Sequence, residues 1–179
     1  MSFIHPLADV QSTCIGKDTR IWQFCVVYKD AVIGGNCNIC AHCLVEGHVV
    51  IGNNVTVKSG VFLCDGITLE DNAFIGSSVS FMNDQYPRSK EYKSYQKTLI
   101  RRNASIGCGA VILGGVTIGE NALIGAGSVV TCDVPDNELW VGNPARFVRR
   151  IDTITDKRGY DFRDLSERSE GENEPRERL

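Results

Sequence analysis

The sequence lacks the features of a membrane-spanning or exported chain. It contains no run of about 18 consecutive apolar residues, the length that a helix needs to cross a bilayer. Its beginning, MSFIHPLADVQ, lacks the charged leader and apolar stretch of a secretion signal. It has no basic excess either, since 19 Lys and Arg face 22 Asp and Glu, and nucleic-acid phosphates are bound by basic residues. These absences predict a cytoplasmic protein whose partners are neither membranes nor nucleic acids.

Apolar residues recur every six positions along most of the chain. A small or β-branched residue recurs in the fifth place of each hexad, as at Thr19, Ala31, Val49 and Val61. A period of six fits neither a helix nor an alternating strand. It predicts a solenoid in which each hexad is one short strand and a turn, and in which both recurring residues point inwards. Three hexads would form one triangular coil, so about twenty hexads predict six to seven coils. The residues of the series are Ile15, Ile21, Val27, Ile33, Ile39, Val45, Ile51, Val57, Leu63, Leu69, Ile75 and Phe81, then Ile100, Ile106, Ile112, Ile118, Ile124 and Val130.

One polar, tyrosine-rich segment interrupts this repeat. It reads FMNDQYPRSKEYKSYQKTLI, from Phe81 to Ile100, and it predicts an extruded loop over residues 82–99. Its length of three hexads plus one residue indicates that the loop replaces about one coil and returns near the same corner. A loop this long inside a compact domain is usually functional or disordered, and the aromatic and charged residues of this one favour a function.

The cysteines suggest a metal site by their spacing but not by their place in the repeat. The segment CNICAHC has the C-x2-C spacing of metal centres. However, Cys37 and Cys43 take the small inward position, as we also expect of Cys14 and Cys25, where a thiol packs as a small apolar group. Three histidines are too few and too scattered for a three-histidine zinc site, since His42 and His48 are six residues apart but His5 is remote. We therefore expect no metal.

The segment VGNPARFVRR follows the last hexad. Its arginines Arg146, Arg149 and Arg150 suit phosphate oxygens, such as those of coenzyme A. Charged residues make up 18 of the 34 residues from Arg146 to Leu179. We therefore predict a domain over residues 1–145 and a second region over 146–179, with a short helix near Ile151 to Ile154 and a disordered charged tail.

The hexads and the NPAR segment resemble those of the hexapeptide-repeat acyltransferases. This resemblance implies an all-β fold, a left-handed parallel β-helix with an extruded loop and a short C-terminal helix. The segment NDQYPRS is narrower, because it resembles the (F)TND-x-(F/Y)-PRS segment of N-acetyltransferases that act on dTDP-linked 3-amino-3,6-dideoxyhexoses. The chain departs from this group at Cys64, where the group often has an aromatic residue.

The resemblance implies a homotrimer with active sites between its chains, and acetyl-CoA as the cosubstrate without a metal. The product would be a nucleotide-linked sugar for a bacterial surface glycan such as an O-antigen or S-layer. Asn83 is expected to orient the sugar amine and Asp84 to grip a neighbouring hydroxyl, as the two catalytic residues. No dedicated base is required, although His42 and His48 are alternatives. The substrate-binding residues would be Asp65, Tyr86 and Arg88, and the residues that bind acetyl-CoA would be Gly125, Ala126, Asn143, Arg146, Arg149 and Arg150.

Other functions remain open at this point. The same fold also serves acetyltransferases of UDP-linked 3-amino uronates, of 4-amino sugars, of serine and of sugar hydroxyls. A zinc hydratase of the γ-carbonic-anhydrase kind is a further alternative, and a non-catalytic β-helix subunit is another. The last would leave NDQYPRS and VGNPAR without a purpose.

Overall fold

Short parallel strands stack into three faces, and the chain passes from one face to the next at each turn. The computed structural model describes residues 1–91 and 94–151, which form a β-helix of about eight turns. No helix occurs in this part of the chain, so nothing helical in it could cross a membrane. Three sheets of nine, seven and five strands form the faces, which we call faces A, B and C.

Face A stacks along the axis of the coil in the order β1 (Phe3–Ile4), β3 (Arg20–Ile21), β6 (Asn38–Ile39), β9 (Thr56–Val57), β12 (Phe74–Ile75), β15 (Ser105–Ile106), β18 (Leu123–Ile124), β20 (Glu138–Gly142) and β21 (Ala145–Arg150). Face B stacks in the order β2 (Asp9–Val10), β4 (Val26–Val27), β7 (Leu44–Val45), β10 (Phe62–Leu63), β13 (Ser80–Phe81), β16 (Val111–Ile112) and β19 (Val129–Val130). Face C holds β5 (Val32–Ile33), β8 (Val50–Ile51), β11 (Ile67–Leu69), β14 (Thr98–Ile100) and β17 (Thr117–Ile118). The A/B corner joins a strand of face A to the next strand of face B, and the B/C and C/A corners are named in the same way.

The strand register confirms three hexads per coil. Ile21 pairs with Ile39 and Val27 with Val45, each partner lying 18 residues further along the chain. Both recurring positions of the hexad are buried in one core, from Ile21 to Val134. The eight levels exceed the six to seven predicted, because the chain adds face-A strands at both ends, at β1 and β20.

The polar residues that occupy inward positions have their hydrogen bonds satisfied inside the fold. The buried Thr19 hydroxyl donates to Gly34 O at 2.7 Å and accepts from Cys37 N at 3.0 Å. Cys25, Cys37 and Cys43 are buried as expected, but Cys14 is exposed. The prediction for Cys14 was wrong because this residue directly precedes the inward-facing Ile15, and adjacent side chains of a strand point to opposite faces.

The turns at the corners contain residues with a left-handed backbone conformation. Along the C/A corner most of these residues are asparagines, and within a run the Nδ2 of one donates to the Oδ1 of the asparagine in the next coil at 2.9–3.0 Å. Asparagine tolerates a positive φ better than most residues. The two runs of this ladder are Asn36–Asn54 and Asn72–Asn103–Asn121–Asn137.

The loop predicted over residues 82–99 is extruded, but it does not replace a coil. From Leu63 to Leu69 the chain advances six residues between faces B and C, and from Phe81 to Ile100 it advances nineteen between the same two faces. Leu69 pairs directly with Ile100, so β14 stacks on β11 with no level missing. The loop therefore replaces one turn of the B/C corner, between β13 and β14.

The C-terminal part of the described chain is a hairpin. Residues 145–150, predicted to lie where the domain gives way to a helix, form β21, which runs antiparallel to β20. The NPAR segment turns the chain back along the last face-A strand, so residues 146–150 continue face A, and the domain boundary at residue 145 stays a prediction. The predicted helix and charged tail beyond Ile151 lie outside the described residues.

Candidate functional site

The loop leaves the coil between two glycine-containing turns of the B/C corner. Asp65-Gly66 lies in the coil below it, and Gly114-Gly115 lies in the coil above. The backbone φ is +88° at Gly66 and +82° at Gly115, values that few residues other than glycine adopt. Thr98 joins the end of the loop to both turns, since its N–H donates to Gly66 O at 3.2 Å and its hydroxyl accepts from Gly115 N at 3.1 Å.

A small cavity forms inside the loop. Its volume is about 170 Å³, and Asn83, Asp84, Tyr86 and Tyr95 are among its lining residues. One carboxylate oxygen of Asp84 accepts the Tyr86 N–H at 2.8 Å, which closes a local turn. Among the described residues, none forms a hydrogen bond with the half-buried Asn83 carboxamide. Asn83 thus offers one donor group and one acceptor oxygen to a ligand.

A wider cleft of about 650 Å³ continues from this cavity along the B/C corner, and Ser94 and Tyr95 line both. Asp65 and His48 form its floor, where His48 Nδ1 lies 3.3 Å from an Asp65 carboxylate oxygen. Lys97 and Tyr95 approach from the loop. The cleft therefore combines a carboxylate, an imidazole, an ammonium group and a phenol, which can hold a polar ligand that also carries flat and anionic parts.

The structure brings together most of the residues predicted to be catalytic or to bind the substrate. Asn83, Asp84 and Tyr86 line the small cavity, and Asp65 lines the adjoining cleft. Arg88 is not among the lining residues of either space, and its guanidinium donates to the neighbouring Pro87 O at 3.1 Å.

The residues predicted to bind acetyl-CoA lie elsewhere. Gly125 and Ala126 are in a turn of the A/B corner, stacked above Gly107 in the previous coil. A Cβ on Gly107 would lie 2.8 Å from Ala126 Cα, so the two coils approach as closely as bare backbone allows. Asn143 lies in the turn between β20 and β21 and precedes Pro144 through a cis peptide bond. Face B thus separates these residues from the loop within one chain.

A bulge divides the three arginines of the hairpin. Arg146 pairs with Val141 and Arg149 with Leu139, whereas Val148 has no partner in the register. Because β20 residues alternate between faces, Arg146 and Arg149 share one face of the hairpin. Arg150 pairs with Glu138 on the other face, with Nε 4.0 Å from the Glu138 carboxylate. Two arginines, rather than three, can therefore reach one anionic group together.

The buried cysteines Cys25, Cys37 and Cys43 pack in the core. Burial raises the pKa of the Cys37 thiol, and a hydrogen bond with Cys25 together with burial raises that of Cys43. Neutral thiols such as these two are poor metal ligands, because metals bind the thiolate. The same hydrogen bond lowers the pKa of the buried Cys25 to about 7. In residues 1–91 and 94–151, no three His, Cys, Asp or Glu side chains lie together in a way that could hold a metal ion.

Sequence reasoning missed several members of the site. Ser94 and Lys97, at the far end of the loop, line the cleft, and Gln85 and Gln96 line the small cavity. His48 was considered as a zinc ligand and as a base, but not as a substrate-binding residue, yet it lines the cleft beside Asp65. The sequence did contain a signal for the pair, since His48 and Asp65 are 17 residues apart and three hexads span 18.

Comparison with known proteins supports one family. The model of the family described as "Bacterial transferase hexapeptide (six repeats)" matches residues 2–47 and 97–132. A dTDP-3-amino-3,6-dideoxy-alpha-D-galactopyranose 3-N-acetyltransferase from Aneurinibacillus thermoaerophilus is 52% identical over 156 residues, which are 87% of this chain and 81% of that protein.

Two further relatives are more distant. A galactoside O-acetyltransferase from Lactococcus lactis subsp. lactis is 34% identical over 118 residues, or 58% of this chain and 56% of that protein. A hexapeptide-repeat acetyltransferase from Vibrio cholerae O1 biovar eltor, solved in complex with acetyl-CoA, superposes with a TM-score of 0.55 at 26% identity, covering 85% of this chain and 72% of that one. The chain therefore belongs to the hexapeptide-repeat acetyltransferases, the family that includes the Aneurinibacillus enzyme.

Proposed function

We propose that this protein transfers the acetyl group of acetyl-CoA to the 3-amino group of a dTDP-linked 3-amino-3,6-dideoxyhexose. The observation that carries the proposal is the NDQYPRS loop, which lines a polar cavity with Asn83, Asp84 and Tyr86 in a chain 52% identical to an enzyme named for this reaction. The reaction would take place in the cytoplasm and supply a sugar for a surface glycan.

The reaction needs little from the protein beyond orientation. The neutral amine attacks the thioester carbonyl, the C–S bond breaks, and the departing thiolate takes the proton that the amine loses. Asn83 would hold the amine through its carboxamide oxygen, and Asp84 would accept a hydrogen bond from an adjacent hydroxyl. Backbone N–H groups of the later coils would stabilise the oxyanion. The nucleotide would lie in the wider cleft, with Lys97 facing its phosphates and Tyr95 facing its base.

A second copy of the chain is needed to complete this site. The loop lies at the B/C corner, whereas Gly125 and Ala126 lie at the A/B corner and Asn143 in the hairpin turn beside it, so a single chain does not bring them together. The outward side of face B lies between these corners and is apolar at Val26, Leu44, Phe62, Val111 and Val129, with Phe62 57% exposed. Exposed apolar faces of this kind are characteristic of subunit contacts. We infer a homotrimer in which the A/B corner of one chain faces the B/C corner of its neighbour.

Thiol release from acetyl-CoA, measured with a panel of amino sugars, tests the proposed function. The panel contains dTDP- and UDP-linked sugars that carry the amine at C3 or at C4, including a UDP-linked 3-amino uronate, together with a galactoside as a hydroxyl acceptor. We expect turnover with the dTDP-linked 3-amino-3,6-dideoxyhexoses to exceed turnover with every other member. Release with the 4-amino, uronate or hydroxyl acceptor alone would assign the protein to another branch of the family.

The hairpin arginines provide a test of the acetyl-CoA site. We expect Arg146→Ala to raise the KM for acetyl-CoA about tenfold, because a charge-assisted hydrogen bond to phosphate contributes about 1.5–3 kcal/mol. The KM for the amino sugar should stay within about twofold. Arg20→Ala, which removes an exposed arginine from face A near the other end of the coil, serves as the control. An unchanged KM for acetyl-CoA would remove Arg146 from the site.

A further inference from the structure

We propose that Gln85 is a positioning residue that fixes Asn83 against the coil above the loop. The inference rests on the proposed function, because it takes Asn83 as the group that orients the amine. It assigns a role to the residue that the NDQYPRS pattern leaves variable, between Asp84 and Tyr86.

Gln85 joins three parts of the structure through one amide nitrogen. Its Nε2 donates to Gly114 O in the coil above at 2.7 Å. The same nitrogen lies 3.3 Å from Gln96 Oε1, on the returning half of the loop. One carboxamide thus connects the outgoing half of the loop, its returning half and the solenoid.

The neighbouring contacts of the loop are local by comparison. The Asp84 carboxylate accepts the N–H of Tyr86, two residues away. The Arg88 guanidinium donates to Pro87 O, and the N–H of Glu91 donates to Arg88 O. These bonds shape the loop internally, but they do not hold it against the coil. The contact that Gln85 makes with Gly114 does.

The coil above is shaped to receive this part of the loop. A Cβ on Gly114 would lie 2.9 Å from Met82 O and 3.2 Å from the carbonyl carbon of Asn83. A Cβ on Gly115 would collide with the Gln96 side chain. The two glycines therefore let the Asn83 backbone and the Gln96 side chain rest directly on the solenoid, at the point where Gln85 also binds it.

This arrangement places the Asn83 carboxamide on a rigid support. Displacement of a reacting group by about 1 Å can cost about a hundredfold in rate. The Met82 N–H also bonds to this coil, at Ile112 O, but Asn83 itself forms no hydrogen bond among the described residues. Loss of the Gln85 amide should therefore affect turnover more than the stability of the solenoid, whose core does not include the loop.

Four variants and one control test the proposal, and they include Gln96→Ala and the double variant Gln85→Ala Gln96→Ala. Gln85→Ala removes the carboxamide, and Gln85→Glu keeps its shape but cannot donate to Gly114 O. Gln11→Ala is the matched control, because it removes an exposed carboxamide that bonds to Asp9 in the first coil. The measurements are kcat, the two KM values, the thermal midpoint and the rate at which trypsin cuts after Arg88 and Lys90.

We expect both Gln85 variants to lower kcat about tenfold and to be cut in the loop several times faster than the unsubstituted protein. The KM for acetyl-CoA should stay within about twofold, and the thermal midpoint within about 2 °C. In the double variant Gln85→Ala Gln96→Ala, kcat should be no lower than in whichever of the single variants Gln85→Ala and Gln96→Ala has the lower kcat, because the two amides act together.

Two results would overturn the inference. One is an active enzyme in which Gln85→Ala loosens the loop but leaves kcat within twofold, since Asn83 would then not depend on the contact. The other is a cutting rate that Gln85→Ala does not change. If the unsubstituted protein acetylates no amino sugar, the proposed function fails, and the cutting rate alone then decides whether Gln85 holds the loop.

Discussion

Replacing Asn83 with alanine is expected to lower the turnover of amino-sugar acetylation at least tenfold. The half-buried carboxamide lines the loop cavity, and it has no hydrogen bond among the described residues that would compete with a ligand. A hydrogen bond that strengthens in the transition state lowers the barrier by about 1–3 kcal/mol. The effect should therefore fall mainly on kcat, whereas the KM for acetyl-CoA should remain close to its original value.

Initial rates of thiol release with saturating acetyl-CoA measure this effect. Asn38→Ala is a suitable control, because it removes a face-A carboxamide that accepts the Trp22 indole N–H and donates to Cys40 Sγ, and that lines neither the loop cavity nor the cleft. Asn83→Asp adds a second comparison, since it keeps the carbonyl oxygen but introduces a charge. Turnover of Asn83→Ala within a factor of two of the original enzyme would exclude this residue from the mechanism.

Replacing Gly107 with alanine is expected to destabilise the β-helix by about 3 kcal/mol, at the upper end of the cost of overpacking. The new methyl group would collide with Ala126 N and lie 2.8 Å from Gly125 C, both of which are backbone atoms of the next coil. Backbone cannot rotate aside as a side chain can, so the coils would have to separate. Because Gly125 and Ala126 are proposed to bind acetyl-CoA, the KM for this cosubstrate should rise as well.

Gly109, two residues further along the same turn, provides the matched control. Its φ is +69°, and a Cβ there would meet no atom within 4 Å. Asparagine tolerates this backbone conformation, so Gly109→Asn should change the free energy of unfolding by less than about 1 kcal/mol. Urea denaturation at one fixed protein concentration compares the two variants. If the two variants were equally stable, the close approach of the coils at Gly107 would not be what restricts this position to glycine.

The core could be predicted almost residue by residue. Each inward side chain belongs to a hexad. A repeat of six with one large and one small apolar position is buried when each hexad forms one strand and one turn of a solenoid, with both positions turned inwards. Ile21, Ile51 and Ile106 are fully buried for this reason. Cys14 shows the limit of the argument, because a shift of one residue along a strand moves a side chain from the core to the solvent.

The site could be predicted only in part. The resemblance of the NDQYPRS segment to that of 3-amino sugar N-acetyltransferases implied roles for Asn83, Asp84 and Tyr86, which line one cavity, and for Arg88, which does not. The partners of the loop could not be found in this way, because Gln85 and Gln96 are ordinary polar residues whose contacts depend on how the chain folds back. The arginines show the same limit, since a single unpaired residue, Val148, decides which of them share a face.

The sequence by itself determined the solenoid, its coil length and the identity of the buried residues, because these follow from a local period that every hexad repeats. It also identified the loop as the exception, though it could not supply the hand of the coil. Only the tertiary structure decided that the loop replaces a corner turn, that the chain ends its described part in a hairpin, and that the loop and the proposed acetyl-CoA residues occupy different corners. These features depend on which strand stacks on which. Leu69 stacks on Ile100, although the loop separates these two residues in the six-residue repeat of the sequence.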